Sequence, residues 1–129
     1  MHATGEHTIR ADERTLILLL AFVHLYHGAP QKAETLYAAL VALDPDDAEA
    51  AKGLACALLD LRKAKAALDV LDGVTGPAEP SALVQLLRAR AFVQLDHIED
   101  AQVAMRAFTV QRGQPGRASD ARRATPGEL

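Results

Sequence analysis

Three alanines, Ala33, Ala67 and Ala101, are evenly spaced along the chain, and a second set, Ala21, Ala55 and Ala89, repeats both gaps. Four residues after each member of the first set comes a bulky apolar residue (Tyr37, Leu71, Met105), and three further on another (Leu40, Val74, Phe108). A period of about 34 residues that carries small and large positions together implies a stacked array of helix pairs. Helices approach closely only over small side chains, so the alanines mark crossings, and the large residues fill the space between stacked helices. The expected fold class is all-α, an α-solenoid of three helix-turn-helix repeats with six main helices.

Composition agrees with this expectation. Half of the 129 residues are hydrophobic, yet only 4% are aromatic and tryptophan is absent. Sheet proteins favour β-branched and aromatic residues, whereas an Ala/Leu-rich chain suits helices. The length suits one domain. A formal net charge of −3 without a long basic run argues against nucleic acid as a partner. The longest apolar run, Leu16 to Val23, is too short for membrane insertion. A basic segment leading into an apolar one is missing at the N-terminus, so no secretory signal is read there. A single cysteine, Cys56, rules out an internal disulfide, and the cytoplasm is the expected compartment.

Breakers and caps divide the chain. Residues 1–11 are polar and read as a flexible N-terminal arm, 12–112 as the three-repeat domain, and 113–129 as a disordered tail. Asp12 is the expected N-cap of a helix over 13–27. Gly28 ends that helix, and Pro30 suits the first turn of the next, which runs to about Leu43. Asp46 followed by Glu49 resembles a capping box before a helix over 47–61. A short helix over 63–72 precedes Gly73, Gly76, Pro77 and Pro80, and two more helices are expected over 81–95 and 97–111.

This register resembles the tetratricopeptide (TPR) repeat over about residues 14–113. Counted from Arg14, Ala48 and Ala82, the repeat-packing small positions are Ala21, Ala33, Ala55, Ala67, Ala89 and Ala101. Gly28 falls at the turn of the first repeat and Pro45 closes it, while Glu79 and Gly113 replace that proline in the other two. The resemblance implies a superhelix whose inner face is lined by the first helix of each repeat. In repeat one the lining positions are Thr15, Leu18, Phe22, Leu25 and Tyr26. In repeat two they are Glu49, Lys52, Cys56, Leu59 and Asp60. In repeat three they are Leu83, Leu86, Arg90, Val93 and Gln94. The centre of this set is apolar, which fits a groove for an amphipathic or apolar peptide segment. The other reading is a tightly curled solenoid in which the same residues are core. TPR domains that hold C-terminal carboxylates use Lys and Asn; Phe22, Cys56 and Arg90 at the matching position speak against that use.

The end of the array offers a second clue. Val103, Met105, Phe108 and Val110 sit on the last helix, and breakers follow at once. Either a partner or a second copy covers them, or Gln102, Arg106 and Gln111 leave only a narrow stripe packed on helix five.

Catalytic and metal chemistry find no constellation. His24 and His27 are three apart on one helix, but His2, His7 and His97 complete no ligand set, and His24 reads as a packing residue. Cys56 lies in an apolar stretch without an evident base, as a small core or groove residue. Asp44, Asp46, Asp47 and Glu49 lack the spacing and glycine of a calcium loop. Arg62, Lys63 and Lys65 read as a solvated helix start, or as a patch for an acidic partner. No enzyme activity and no cofactor or metal are expected.

Among small TPR proteins, the stretch Leu16 to Glu34, LILLLAFVHLYHGAPQKAE, with Leu40 to Pro45, LVALDP, resembles the type III secretion chaperones. The likeness is to the YscY-type, with features shared by the YscG-type needle chaperones and the translocator chaperones. That resemblance implies a bacterial cytosolic protein of a virulence-associated protein-transport system. Its partner would be a secreted subunit held soluble through a client helix in the groove, with the export apparatus as a further partner. A homodimer is expected when the client is absent. A TPR scaffold bridging folded proteins through its convex face is the alternative.

Overall fold

Six helices occupy the described residues, 10–74 and 81–113, of the structure, a computed structural model. They are α1 (Ala11–Tyr26), α2 (Pro30–Leu43), α3 (Ala48–Asp60), α4 (Ala64–Val74), α5 (Ala82–Gln94) and α6 (Ile98–Arg112). The expected arm over 1–9, the breaker-rich segment 75–80 and the expected tail over 114–129 lie outside the described residues. Arg10 and Ala11, read from sequence as the end of the arm, instead begin α1.

Each helix packs on its neighbour along the chain, and α3 also touches both α1 and α5. The odd-numbered helices therefore form one layer and the even-numbered helices the other. All six register alanines are buried: Ala21, Ala33, Ala55 and Ala67 completely, Ala89 and Ala101 nearly so. Leu40, Leu59, Leu71 and Val84 are the largest fully buried side chains. One close approach is tighter than an alanine would allow. The buried Tyr37 ring of α2 lies on Gly53 of α3, where a Cβ would collide with it.

The turn inside each repeat is built the same way. Gly28, Arg62 and Asp96 stand one repeat apart, and all three are left-handed, with φ of 80°, 65° and 64°. After each, one amide closes the turn: Ala29 donates to the His24 carbonyl, Lys63 to Leu58 and His97 to Phe92. This is the Schellman closure, in which the left-handed residue lets the chain bond back across the last helical turn. Only the first repeat uses glycine there.

Helix starts differ from the sequence expectation in two places. The N-cap of α1 is Arg10, whose amide donates to Glu13 Oε1 at 3.1 Å; Asp12 lies inside the first turn. The cap of α3 is Asp47, whose side chain accepts from the Ala50 amide at 3.2 Å. Asp46 instead donates its amide to Asp44 Oδ1 at 3.0 Å, shaping the turn around Pro45. Ser81 caps α5 by accepting from the Val84 amide. Asp47 and Ser81 are again one repeat apart, so the period extends to the caps. Helix α4 continues past Gly73 to Val74, two residues beyond the expected end, because Val74 is buried in the core.

Candidate peptide-binding groove

The inner layer presents three unlike zones. At the α1 end, Arg14, Thr15, Leu18, Leu19, Phe22, Tyr37 and Glu49 line a cleft of about 360 Å³. Leu18 and Leu25 are half-buried against the core, whereas Phe22 and Tyr26 are exposed, with their rings stacked at 6.0 Å between centroids. The exposed aromatic pair lies one turn apart on the helix, so both rings face the same way.

The middle zone is polar. Arg90 Nη2 on α5 donates to Asp60 Oδ1 on α3 at 2.6 Å, and Lys52 and Cys56 are half-buried on α3. Burial pushes the Cys56 thiol above its ordinary value; Arg90 opposes this in part and Asp60 adds to it. A raised thiol is a poor nucleophile at neutral pH. Gln94 Nε2 donates to the Leu59 carbonyl at 2.9 Å, at the end of α3.

At the α5 end, Leu83, Leu86 and Val93 are exposed. Val93 also borders a second cleft of about 570 Å³, shared with Ile98, Ala101, Gln102, Met105 and Arg106 between α5 and α6.

The residues expected to line the groove are thus not equivalent. Phe22, Tyr26, Leu83, Leu86, Arg90 and Val93 reach the surface, and Leu18, Leu25, Lys52 and Cys56 are partly open. Leu59 is a correction: it is completely buried and belongs to the core. The register position is the same as for Leu25 and Val93, but only α3 has an inner-layer neighbour on both sides. Leu19 and Tyr37 border the α1 cleft without having been expected there; the Tyr37–Gly53 approach that brings α2 to this cleft is a contact between repeats.

The electrostatic anchor of the α1 end is Arg14. Its Nε donates to Asp47 Oδ2 and its Nη2 to Asp47 Oδ1, each at 2.8 Å, and Nη2 also reaches Glu49 Oε1 at 3.2 Å. Arg14 holds the nearly buried Asp47 carboxyl below the usual carboxylate range, and Asp47 in turn raises the guanidinium. His24 is half-buried and His27 exposed, with the Tyr26 ring edge-on to His27 at 5.4 Å. Among the described residues no group of three His, Cys, Asp or Glu side chains is placed to hold a metal ion, and no helix is long and apolar enough to cross a membrane.

An apolar surface interrupted by fixed charges on a helical array suits binding of a protein segment. No curated protein matches the chain. The family model described as "Tetratricopeptide repeat" matches residues 24–91, just over half of the chain and the span from the end of α1 through most of α5. The chain belongs to the tetratricopeptide repeat family, whose members are protein-interaction modules.

Proposed function

We propose that the chain is a bacterial cytosolic chaperone of a type III secretion system, holding an amphipathic helix of a secreted subunit in its inner groove until export. The observation that carries the reading is the exposed apolar side chains at both ends of the inner layer, Phe22 and Tyr26 on α1 and Leu83, Leu86 and Val93 on α5. A monomer seldom leaves such surface open without a use for it. Between them, Arg90 and Asp60 offer charges that would fix the register of a client helix. Covering ~600 Å² of apolar surface contributes on the order of 15 kcal/mol before ordering costs, enough to hide a polymerising face of a client. The likeness of the Leu16–Glu34 stretch to type III chaperones supplies the secretion context, including contact with the export apparatus.

A scaffold role is the second reading, favoured by Val103 and Val110, which stand exposed two turns apart on α6. Affinity purification from the source cell, analysed by mass spectrometry, separates the two. The chaperone reading expects one small secreted subunit to co-purify with the native chain and to be lost with Phe22→Glu. Recovery of folded partners that survive Phe22→Glu but not Val110→Glu supports the scaffold instead.

A further inference from the structure

In the first repeat a polar side chain of the outer layer reaches the inner groove. Tyr37 belongs to α2 and is only 5% exposed, yet it lines the α1 cleft. It arrives there over Gly53 of α3, where any Cβ would meet its ring. A glycine inside a helix costs about 1 kcal/mol against alanine, and here it is the gap that the ring crosses. One repeat on, Leu71 and Leu87 hold the corresponding places, and both are buried hydrocarbon. The first repeat therefore brings a hydroxyl where the second brings none. Among the described residues that hydroxyl has no hydrogen-bond partner, and it is not sealed from solvent. Burial, with the charges of Cys56 and Glu49 adding to it, pushes the Tyr37 hydroxyl above its ordinary value, so at neutral pH it is an uncharged donor and acceptor.

The other groups at this cleft are acceptors beside an apolar wall. Glu49 is mostly exposed and gives only Oε1 to Arg14, at 3.2 Å, which leaves Oε2 open. Thr15 Oγ1 donates to the Ala11 carbonyl at 2.9 Å and keeps its lone pairs. Arg14 is held by Asp47 through two hydrogen bonds. One guanidinium and two carboxylates leave the corner with a net negative charge. Leu18, Leu19 and the exposed ring of Phe22 supply the apolar wall. At about 360 Å³ the cleft is at the small end for a ligand pocket and suits one long side chain.

We propose that this cleft is a specificity pocket for a cationic side chain, arginine or lysine, of the segment bound in the groove. The aliphatic stem lies along Leu18 and Leu19, and the charged head sits at the Phe22 ring and donates to Glu49 Oε2 and the Tyr37 hydroxyl. The inference rests on the groove reading for where the segment lies, and adds what the segment carries. An anionic group would meet the Glu49 and Asp47 carboxylates and find Arg14 already held. A purely apolar group would desolvate Glu49 and the Tyr37 hydroxyl without giving either a partner. A cation satisfies both acceptors and cancels the net charge.

The probe is n-butylguanidinium, the stem and head of such a side chain, titrated into the full chain and followed by amide chemical shifts. Its neutral isostere n-butylurea and the anion pentanoate are the comparisons. The native chain should bind the cation at about millimolar concentration, with saturating shifts at Leu18, Leu19 and Glu49, and n-butylurea about 10-fold more weakly. Glu49→Gln, at an exposed site, should remove most of that preference. Tyr37→Phe, which keeps the buried ring, should weaken the cation by about 3- to 10-fold. Circular dichroism checks that both variants stay helical, and Glu49→Gln carries the test if Tyr37→Phe does not fold. Absence of a saturable shift, preference for pentanoate, or a cation affinity that either folded variant leaves unchanged overturns the proposal. Equal binding of n-butylurea overturns it in favour of an apolar anchor. The titration contains no client, so its failure leaves the chaperone reading to its own test, and a missing secreted subunit would not move the titration.

Discussion

Arg14 and Asp47 are joined by two parallel 2.8 Å hydrogen bonds across 33 residues of sequence, tying the first turn of α1 to the cap of α3. Asp47 does two jobs at once, because it also accepts from the Ala50 amide. The pair is nearly buried on the Asp47 side and a third exposed on the Arg14 side. A bidentate, partly desolvated pair of this kind contributes where an exposed ion pair does not. Removing either partner leaves a polar group without its match, so Arg14→Ala and Asp47→Ala should each cost about 2–3 kcal/mol in urea unfolding. The double variant should cost less than the two added together.

The same contact sets an acid limb. Arg14 depresses the Asp47 carboxyl in the folded state. Its stabilisation is therefore complete above the ordinary carboxylate value, about 4, and is lost as pH falls from there through the lower folded value. Melting followed from pH 6 down to about 2 should show a steeper decline for the native chain than for Asp47→Asn. Parallel curves would mean that other carboxylates carry the acid sensitivity.

Arg62 offers a gain in stability. It holds the left-handed turn position that Gly28 fills in the first repeat. A side chain there costs roughly 1–2 kcal/mol, part of which glycine returns as unfolded-state entropy. Arg62→Gly should raise the melting temperature by about 3–5 °C. Gly28→Ala is the mirror test. Nothing crowds a Cβ there, so its loss, about 1 kcal/mol, reads backbone conformation alone.

At Gly53 propensity and packing oppose each other. Alanine is the better helix former by about 1 kcal/mol, yet its Cβ meets the buried Tyr37 ring. Overpacking costs about 1–3 kcal/mol, so Gly53→Ala should melt lower than the native chain. Adding Tyr37→Leu should restore much of the loss, since Leu71 and Leu87 hold the equivalent places one repeat on. Ala55→Leu, at a completely buried crossing, has no such rescue, and unchanged melting of that variant would undermine the register.

Phe22→Glu tests the groove without touching the core. More than half of the residue is exposed, so helicity and melting should hold. Affinity for a client helix, measured by calorimetry, should fall by about 100-fold or more.

The alanine register made the helix pairs, their order and most of their bounds legible, because close crossings admit few residue types and recur at a fixed interval. Local chemistry was less legible. Asp46 and Asp47 are chemically alike, and it is Asp47 that both caps α3 and meets Arg14 from 33 residues away. Arg62 and Asp96 carry no turn signature, yet the closure copied from Gly28 forces both into the left-handed region.

What the sequence determined by itself was the repeating unit: two helices, a tight turn and small residues where they cross, all set by spacing along one chain. What tertiary structure decided was the fate of equivalent positions. Leu25, Leu59 and Val93 share a register, but Leu59 alone is flanked on both sides and disappears into the core. Leu16 and Ala50 share another, but among the described residues only Ala50 has an outer helix lying on it. Burial is a property of neighbours, and a repeating pattern says the same thing at every repeat, including the first, before which the described residues hold no helix.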